Sequence, residues 1–332
     1  MSNDILTSLL SDYEQKKRKA EVEFEHQKTE LYKKIPRLHE IEDELNSVAI
    51  TETKNILFGN SSSLENLHQK IESLKEERKK ILSENNLSVN DLQPKYECCL
   101  CKDTGYIKSG TSATVMCSCL KQKLLNFSYN KSNMTNLSKE NFENFNPNIF
   151  SNEISNNFNI SPKQNILNIK QKCLEFVNDF DNPISKNLLF TGNTGLGKTY
   201  MSNCIANELI KKGKNVLYQT APVLLETIID NKFNKYKTAN KDNFYKDVLE
   251  ADLLIIDDLG TECLNSMKLS ELFTILNTRI LNLNNKVTKT IISTNLNINN
   301  IFKSYEERIG SRIVGYYDIY YFFGEDLRFK RK

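Results

Sequence analysis

Hydrophobic positions along this chain follow two different periods. Over residues 12–48, Leu31, Ile35, Leu38, Ile41, Leu45 and Val48 recur at steps of three and four, with Glu and Lys between them. That spacing lays an apolar stripe along one face of a helix. Pro36 lies inside the run and is expected to kink or split it, because proline removes an amide donor and crowds the preceding turn. Residues 59–63 read as a turn. A second stripe follows through Leu64, Leu67, Ile71, Leu74, Arg78 and Ile81, so the front of the chain is expected to be a helical hairpin or short bundle. Later the pattern changes to short apolar runs at residues 188–191, 215–220, 253–256, 286–294 and 319–323. Helical stretches at 166–180, 200–212 and 222–230, another ending near Glu250, and one at 266–281 precede or separate these runs. Five strands alternating with helices predict an α/β fold, a mostly parallel sheet covered on both faces. Between the two regimes, residues 129–162 are rich in Asn and Ser, with isolated Phe and two prolines. This is the expected linker, although Phe142 and Phe145 are expected to pack on the domain that comes after it.

Composition narrows the picture. A chain of 332 residues is long enough for two domains. It is 26% charged and 39% hydrophobic, which suits a soluble globular protein. The net charge of +3 neither requires nor excludes nucleic-acid binding, since local patches matter more than the total. No run of 18 apolar residues is present, so no membrane span is expected. The first ten residues lack a basic segment before their apolar positions, which argues against a signal peptide. Eight cysteines without a secretion signal favour reduced thiols or metal ligands over disulfides, and a cytoplasmic location is expected.

The candidate chemistry lies in four places. Cys98 and Cys101 form a C-x₂-C knuckle, and Cys117 and Cys119 a tighter pair. Four thiolates make a natural tetrahedral site for Zn²⁺, with no open position, so the metal would be structural. Cys99 competes within the first pair, and an iron–sulfur cluster or free thiols are the chemical alternatives. Cys173, Cys204 and Cys263 read as core or bystander residues.

Second, Gly192, Asn193, Thr194, Gly195, Leu196, Gly197, Lys198 and Thr199 fit G-x-x-x-x-G-K-[ST] between a predicted strand and a predicted helix. This is the context in which backbone amides and a helix N-terminus cradle a phosphate chain. Lys198 is expected at the β and γ phosphates of ATP or ADP, and Thr199 on Mg²⁺. Third, an apolar run ends in Asp257 and Asp258. Asp257 is placed to hold the Mg²⁺ shell and Asp258 to polarise an attacking water. Fourth, Asn295 ends the next strand, where it can orient that water or sense the γ-phosphate. Beyond it, Arg308 and Arg312 stand four apart on one helical face, either as salt-bridged surface residues or reaching a nucleotide on a neighbouring copy.

These motifs together resemble the bacterial and phage replicative helicase loaders of the DnaC/DnaI type, within the AAA+ superfamily. The resemblance covers residues 95–332. It rests on the two cysteine pairs, Lys102 to Tyr106, Phe142 to Phe145, the glycine loop, Leu254 to Gly260, Ser293 to Asn295, and Glu307 to Arg312. It implies an AAA+ P-loop core without a full C-terminal lid. It assigns Asn295 to sensor 1, Arg308 or Arg312 to an arginine finger, and Arg328 to a sensor-2-like role. It also implies a hexameric replicative helicase as partner of the N-terminal part, single-stranded DNA as a ligand, and self-association through the ATPase domain when ATP is bound. DNA contacts would be largely electrostatic, with Lys286, Lys289, Lys303 and the basic tail at 330–332 as candidates. The expected organisation is a helical partner-binding region at 1–92, a four-cysteine zinc unit at 93–128, the linker at 129–162, and the ATPase domain at 163–332. The charged helices before Cys98 have no residue-by-residue match. The rival expectations are an IstB-like transposition helper ATPase and a nucleotide-gated adaptor without significant hydrolysis.

Overall fold

The computed structural model describes residues 2–57, 64–109, 113–127, 139–233, 241–281 and 286–330. The expected turn at 59–63, the first part of the expected linker and the last two residues of the basic tail lie outside them. The chain divides into two units, one of Leu6–Cys117 and one of Ser118–Lys332 with Met1–Ile5.

In the first unit, α1 (Ser2–Lys34) and α2 (Pro36–Leu57) meet at Ile35. Pro36 is the first residue of α2, where its missing N–H costs nothing. The periodic run is therefore split at the proline, with Ile35 N–H still donating to Leu31 O at 2.8 Å. α3 (Leu64–Glu84) packs on α2. Of the stripe residues, Leu38, Ile41, Val48 and Leu74 are buried and Ile71 and Ile81 half-buried, and Leu82, outside the predicted stripe, is buried next to Ile81. Arg78 reaches Glu42 at 3.1 Å and Arg37 reaches Glu77 at 2.8 Å. Arg37–Glu77 is exposed and Arg78–Glu42 half-buried, and surface pairs of this kind add little stability. A small antiparallel ribbon, β1 (Tyr106–Ser109) and β2 (Ala113–Met116), completes the unit.

The second unit opens with α4 (Ser118–Leu125) and continues through α5 (Pro162–Asn178), β3 (Asn187–Gly192), α6 (Lys198–Lys211), β4 (Val216–Thr220) and α7 (Ala221–Phe233). It then runs through α8 (Lys241–Glu250), β5 (Leu253–Leu259), α9 (Ser266–Ile280), β6 (Lys289–Thr294), α10 (Ile298–Tyr316) and β7 (Tyr317–Phe322). The five strands are all parallel, in the order β4-β5-β6-β3-β7. β3, inserted between β6 and β7, is buried on both faces, as are β5 and β6 over almost their whole length. That explains why they read as unbroken apolar runs. Alternation still decides the layer. Leu188 and Phe190 join Ile166, Cys173, Cys204 and Ile205 of α5 and α6 on one side. Leu189 joins the residues of α7 to α10 on the other.

Two polar side chains close the unit where backbone would otherwise be left unpaired. Gln122 of α4 lies beside the edge strand β4. It donates to Val216 O at 3.0 Å and accepts from Val216 N–H at 2.7 Å, standing in for a neighbouring strand. Arg279 is 2% exposed. It donates to the carbonyls of Val248, Leu249, Ala251 and Lys289 and to the Thr290 hydroxyl at 2.7–3.2 Å. Burial lowers its pKa to about 10, still charged at neutral pH. Five neutral acceptors thus stand in for a counter-ion. Lys289, read from sequence as a candidate DNA contact, is turned inward instead. It is 3% exposed and its ammonium donates to Ser185 O. No helix among the described residues is long and apolar enough to cross a membrane.

Replacing Gln122 by Ala strands a buried donor and a buried acceptor on β4. Each such group costs about 1–3 kcal/mol, so the urea midpoint of the second unit should fall clearly. A Gln122→Glu change, which keeps only the acceptor, should fall between wild type and Ala.

Candidate nucleotide site

The chemistry gathers at the C-terminal ends of β3, β5 and β6. In a parallel α/β sheet these ends open toward a crevice where the strand order reverses. β3 delivers the glycine loop, 192–197, and α6 begins at Lys198. The first-turn amides of α6 lack intrahelical partners and favour an anion. Two glycines are required by contact. A Cβ at Gly192 (φ 142°) would lie 2.0 Å from Phe322 O, and one at Gly195 (φ 74°) would lie 1.8 Å from the Asp326 carboxylate. The segment after β7 thus lies against the loop, where Leu327 N–H donates to Gly195 O at 3.0 Å.

Lys198 is buried, and its three N–H donors are all engaged. It bonds Gly192 O at 2.6 Å, Asn193 O at 2.7 Å and Asn295 Oδ1 at 2.8 Å. Burial lowers its pKa, opposed by Asp258 and Asp257. Asp257, 4% exposed, accepts from Thr199 Oγ1 at 3.1 Å and from the Tyr218 hydroxyl on one oxygen. On the other it accepts from the Ser293 hydroxyl and, at 3.1 Å, from Asp258 N–H. Burial and the Asp257 charge push the Tyr218 phenol far up, so it remains a donor. Asp258 has φ 55°, which turns its side chain out of the strand plane into the cleft. Burial and then the Asp257 charge raise its pKa, while Lys198 and Arg328 oppose.

One cleft is lined by Lys198, Thr199, Asp258, Asn295 and Arg328 together with the glycine loop. Its other wall comes from the stretch 139–150. Phe142 and Phe150 are buried in the core and Phe145 packs against it. Lys170 donates to Phe142 O at 3.1 Å, and the Tyr200 hydroxyl donates to Asn141 O at 3.0 Å. Residues 139–150 of the expected linker therefore belong to the nucleotide cleft. Phe142 and Phe145 carried a sequence signal for this. Phe150 and Tyr218 carried none, since an isolated aromatic in a loop or strand has no pattern to mark it. Arg308 and Arg312 stand elsewhere. Both guanidinium groups lie over the Phe273 ring of α9, at 5.7 and 5.9 Å, and neither lines the cleft.

The cysteines form a separate group. The sulfurs of Cys98, Cys101, Cys117 and Cys119 all lie within 4.8 Å of one another, whereas Cys99 is exposed. Cys98 and Cys117 sulfurs are 3.9 Å apart. Tetrahedral bonds of about 2.3 Å to Zn²⁺ would hold sulfurs about 3.8 Å apart, so the set fits such an ion. The buried Asp103 carboxylate accepts from Glu97 N–H at 2.8 Å and Cys98 N–H at 2.9 Å, fixing the knuckle. Cys173 and Cys204 are buried core residues and Cys263 is exposed.

A five-stranded parallel sheet with a glycine phosphate loop on one central strand and a buried carboxylate on the next but one defines an AAA+ P-loop ATP-binding protein. The chain belongs to the IstB-like ATP binding protein family, whose sequence pattern matches residues 138–309. Among curated proteins it is 30% identical over 96 residues to the replicative helicase loader DnaC of Escherichia coli (strain K12), covering 29% of this chain and 38% of that protein. It is 38% identical over 72 residues to the chromosomal replication initiator protein DnaA of Helicobacter hepaticus, covering 22% of this chain and 15% of that protein. A crystal structure of the DnaC helicase loader superposes with a TM-score of 0.45 at 22% identity, over 57% of this chain and 99% of the other. The chain thus matches well under half the length of these curated relatives.

Lys198→Ala removes the one ammonium that lines the cleft among the described residues. ATP affinity, measured with a fluorescent analogue, should fall about tenfold or more, as expected for a charge-assisted contact to phosphate, with circular dichroism confirming that the variant is folded.

Proposed function

We propose that this protein is an ATP-dependent loader that binds the replicative DNA helicase and assists its placement on single-stranded DNA as replication begins. The observation that carries the reading is the cleft. Lys198, Thr199, Asp258, Asn295 and Arg328 line it, with the buried Asp257 behind Thr199, in a chain whose curated relatives are named for helicase loading and replication initiation. The cysteine quartet and the charged helices before it favour a loader over a transposition helper. The family's name keeps that helper as the second reading.

In the proposed cycle the β and γ phosphates draw Lys198 away from the Gly192 and Asn193 carbonyls. That exchange also frees Asn295, whose side chain accepts a hydrogen bond from Lys198. Asn295 then orients the water that Asp258 polarises, acting as sensor 1. Arg328 faces the same phosphates in a sensor-2-like role. Magnesium, when bound with nucleotide, would be held by Thr199 and Asp257 and would neutralise phosphate charge. Arg308 or Arg312 completes the site of a neighbouring copy, which accounts for both standing outside their own cleft. ATP would therefore favour self-association, and hydrolysis would weaken it. Zinc at the four cysteines is structural, holding the small ribbon that follows the helices. The organisation into partner-binding helices, zinc unit and ATPase domain, at work in the cytoplasm, follows from this reading.

Asp258 must be ionised to polarise water. Its raised pKa moves the acid limb of ATP turnover above the ordinary carboxylate range near 4. Turnover is lost as pH falls through that limb, and Asp258→Asn should abolish turnover at every pH with nucleotide affinity retained. Loader activity itself is tested by size-exclusion chromatography with light scattering. The protein mixed with the replicative helicase of its own organism should form a defined complex in ATP, lost on deleting residues 1–128. No complex under any nucleotide condition, but one with a transposase, would replace this reading with the second.

A further inference from the structure

The loop that follows the carboxylate pair is fastened to the helix that carries the two arginines. After Asp258 the chain folds back on itself. Thr261 donates to Asp258 O through its hydroxyl at 2.9 Å, and Gly260 N–H donates to Glu262 Oε2 at 2.9 Å. Room for this turn depends on Gly260 (φ 106°), where a Cβ would lie 2.8 Å from the Leu296 side chain. The other oxygen of the same carboxylate, Glu262 Oε1, accepts the Tyr305 hydroxyl. Tyr305 is completely buried.

Tyr305 also marks the break in α10. Tyr305 (φ −112°, ψ 16°) and Glu306 (φ 62°, ψ 160°) are not helical, so α10 is two helical segments meeting there. A non-glycine residue at the Glu306 angles is a strained conformation that persists only where its surroundings impose it. The segment after the break presents Arg308 and Arg312 over Phe273. Its direction is set by how the chain leaves Tyr305.

We infer that Glu262 and Tyr305 are positioning residues for the arginines. The Glu262 carboxylate, bonded to Gly260 on one side and Tyr305 on the other, ties the second half of α10 to the loop beginning at Asp257 and Asp258. The arginines offered to a neighbour are thereby aligned from the same loop that serves the chain's own nucleotide. The inference rests on the proposed role of Arg308 and Arg312 in a neighbouring site.

Mixing two inactive variants tests both and separates them. K198A binds nucleotide weakly and does not turn it over, but keeps its arginines. R308A/R312A keeps its cleft but gives none. Their mixture should recover ATP turnover at least tenfold above the sum of the separate proteins, given the size of such arginine effects. Adding Tyr305→Phe to the K198A chain should remove most of that recovery, about tenfold for one lost charge-assisted hydrogen bond. The same change in the R308A/R312A chain should leave recovery within about twofold, an asymmetry that general destabilisation would not produce. Glu262→Gln in the K198A chain, whose amide accepts from only one of its two present donors, should act like Tyr305→Phe and carries the test if the latter folds poorly. Equal loss in both chains, or loss in neither, overturns the link while the arginine role stands. A parent mixture that recovers nothing overturns the arginine role and the link with it.

Discussion

A carboxylate at the end of a buried strand needs hydrogen-bond donors around it, and Asp257 has them from four directions. Tyr218 reaches it from β4, Thr199 from α6, Ser293 from β6, and the next backbone amide from β5 itself. Satisfying this one charge fixes the relative height of three strands and the first turn of the phosphate-loop helix. The requirement and the function coincide. In the proposed role of Asp257, the oxygens that hold the sheet ends in register are those that would meet the metal of a bound nucleotide.

Lys198 shows the complementary arrangement. Its ammonium is saturated by two loop carbonyls and Asn295, all neutral, with the acidic residues acting only through space. Exchange of neutral acceptors for phosphate oxygens is favourable, because a charged acceptor makes a hydrogen bond roughly twice as strong. The gain is available only when an anion enters. One of those acceptors is Asn295, so in the proposed cycle filling the phosphate site would also change the partners of a second residue.

How legible this was in the sequence varied with how local the cause is. The strands of the sheet announce themselves as apolar runs because both faces are covered, and the helix split at Pro36 follows from proline's missing donor. The glycine loop, the carboxylate pair and the cysteine spacing are short-range patterns, and all three were readable. What stayed hidden depends on contacts between distant segments. Tyr218 looks like any strand aromatic until β5 lies beside it. Arg279 looks like a surface helix residue, yet four carbonyls and a hydroxyl surround it. Lys289 looks solvent-facing because a charged residue at a strand end usually is. The Asn-rich stretch reads as a linker by composition, whereas its phenylalanines and backbone carbonyls are gripped by Lys170 and Tyr200. Polar composition describes a segment's own propensity, not what its neighbours offer it.

The positions of the arginines carry the argument beyond a single chain. A guanidinium over an aromatic face is held by the ring quadrupole and keeps its donors available. Arg308 is three-quarters exposed, with Glu306 at 3.5 Å, an arrangement that adds little stability on a surface. Arg312 spends one N–H on Asn277 at 3.0 Å, which orients the group more than it neutralises it. Two cations kept on one rigid face, away from the cleft that their own chain builds, gain nothing for that chain's phosphates. In the proposed assembly they would stand beside the phosphates of another copy, and assembly and nucleotide chemistry would then be one equilibrium.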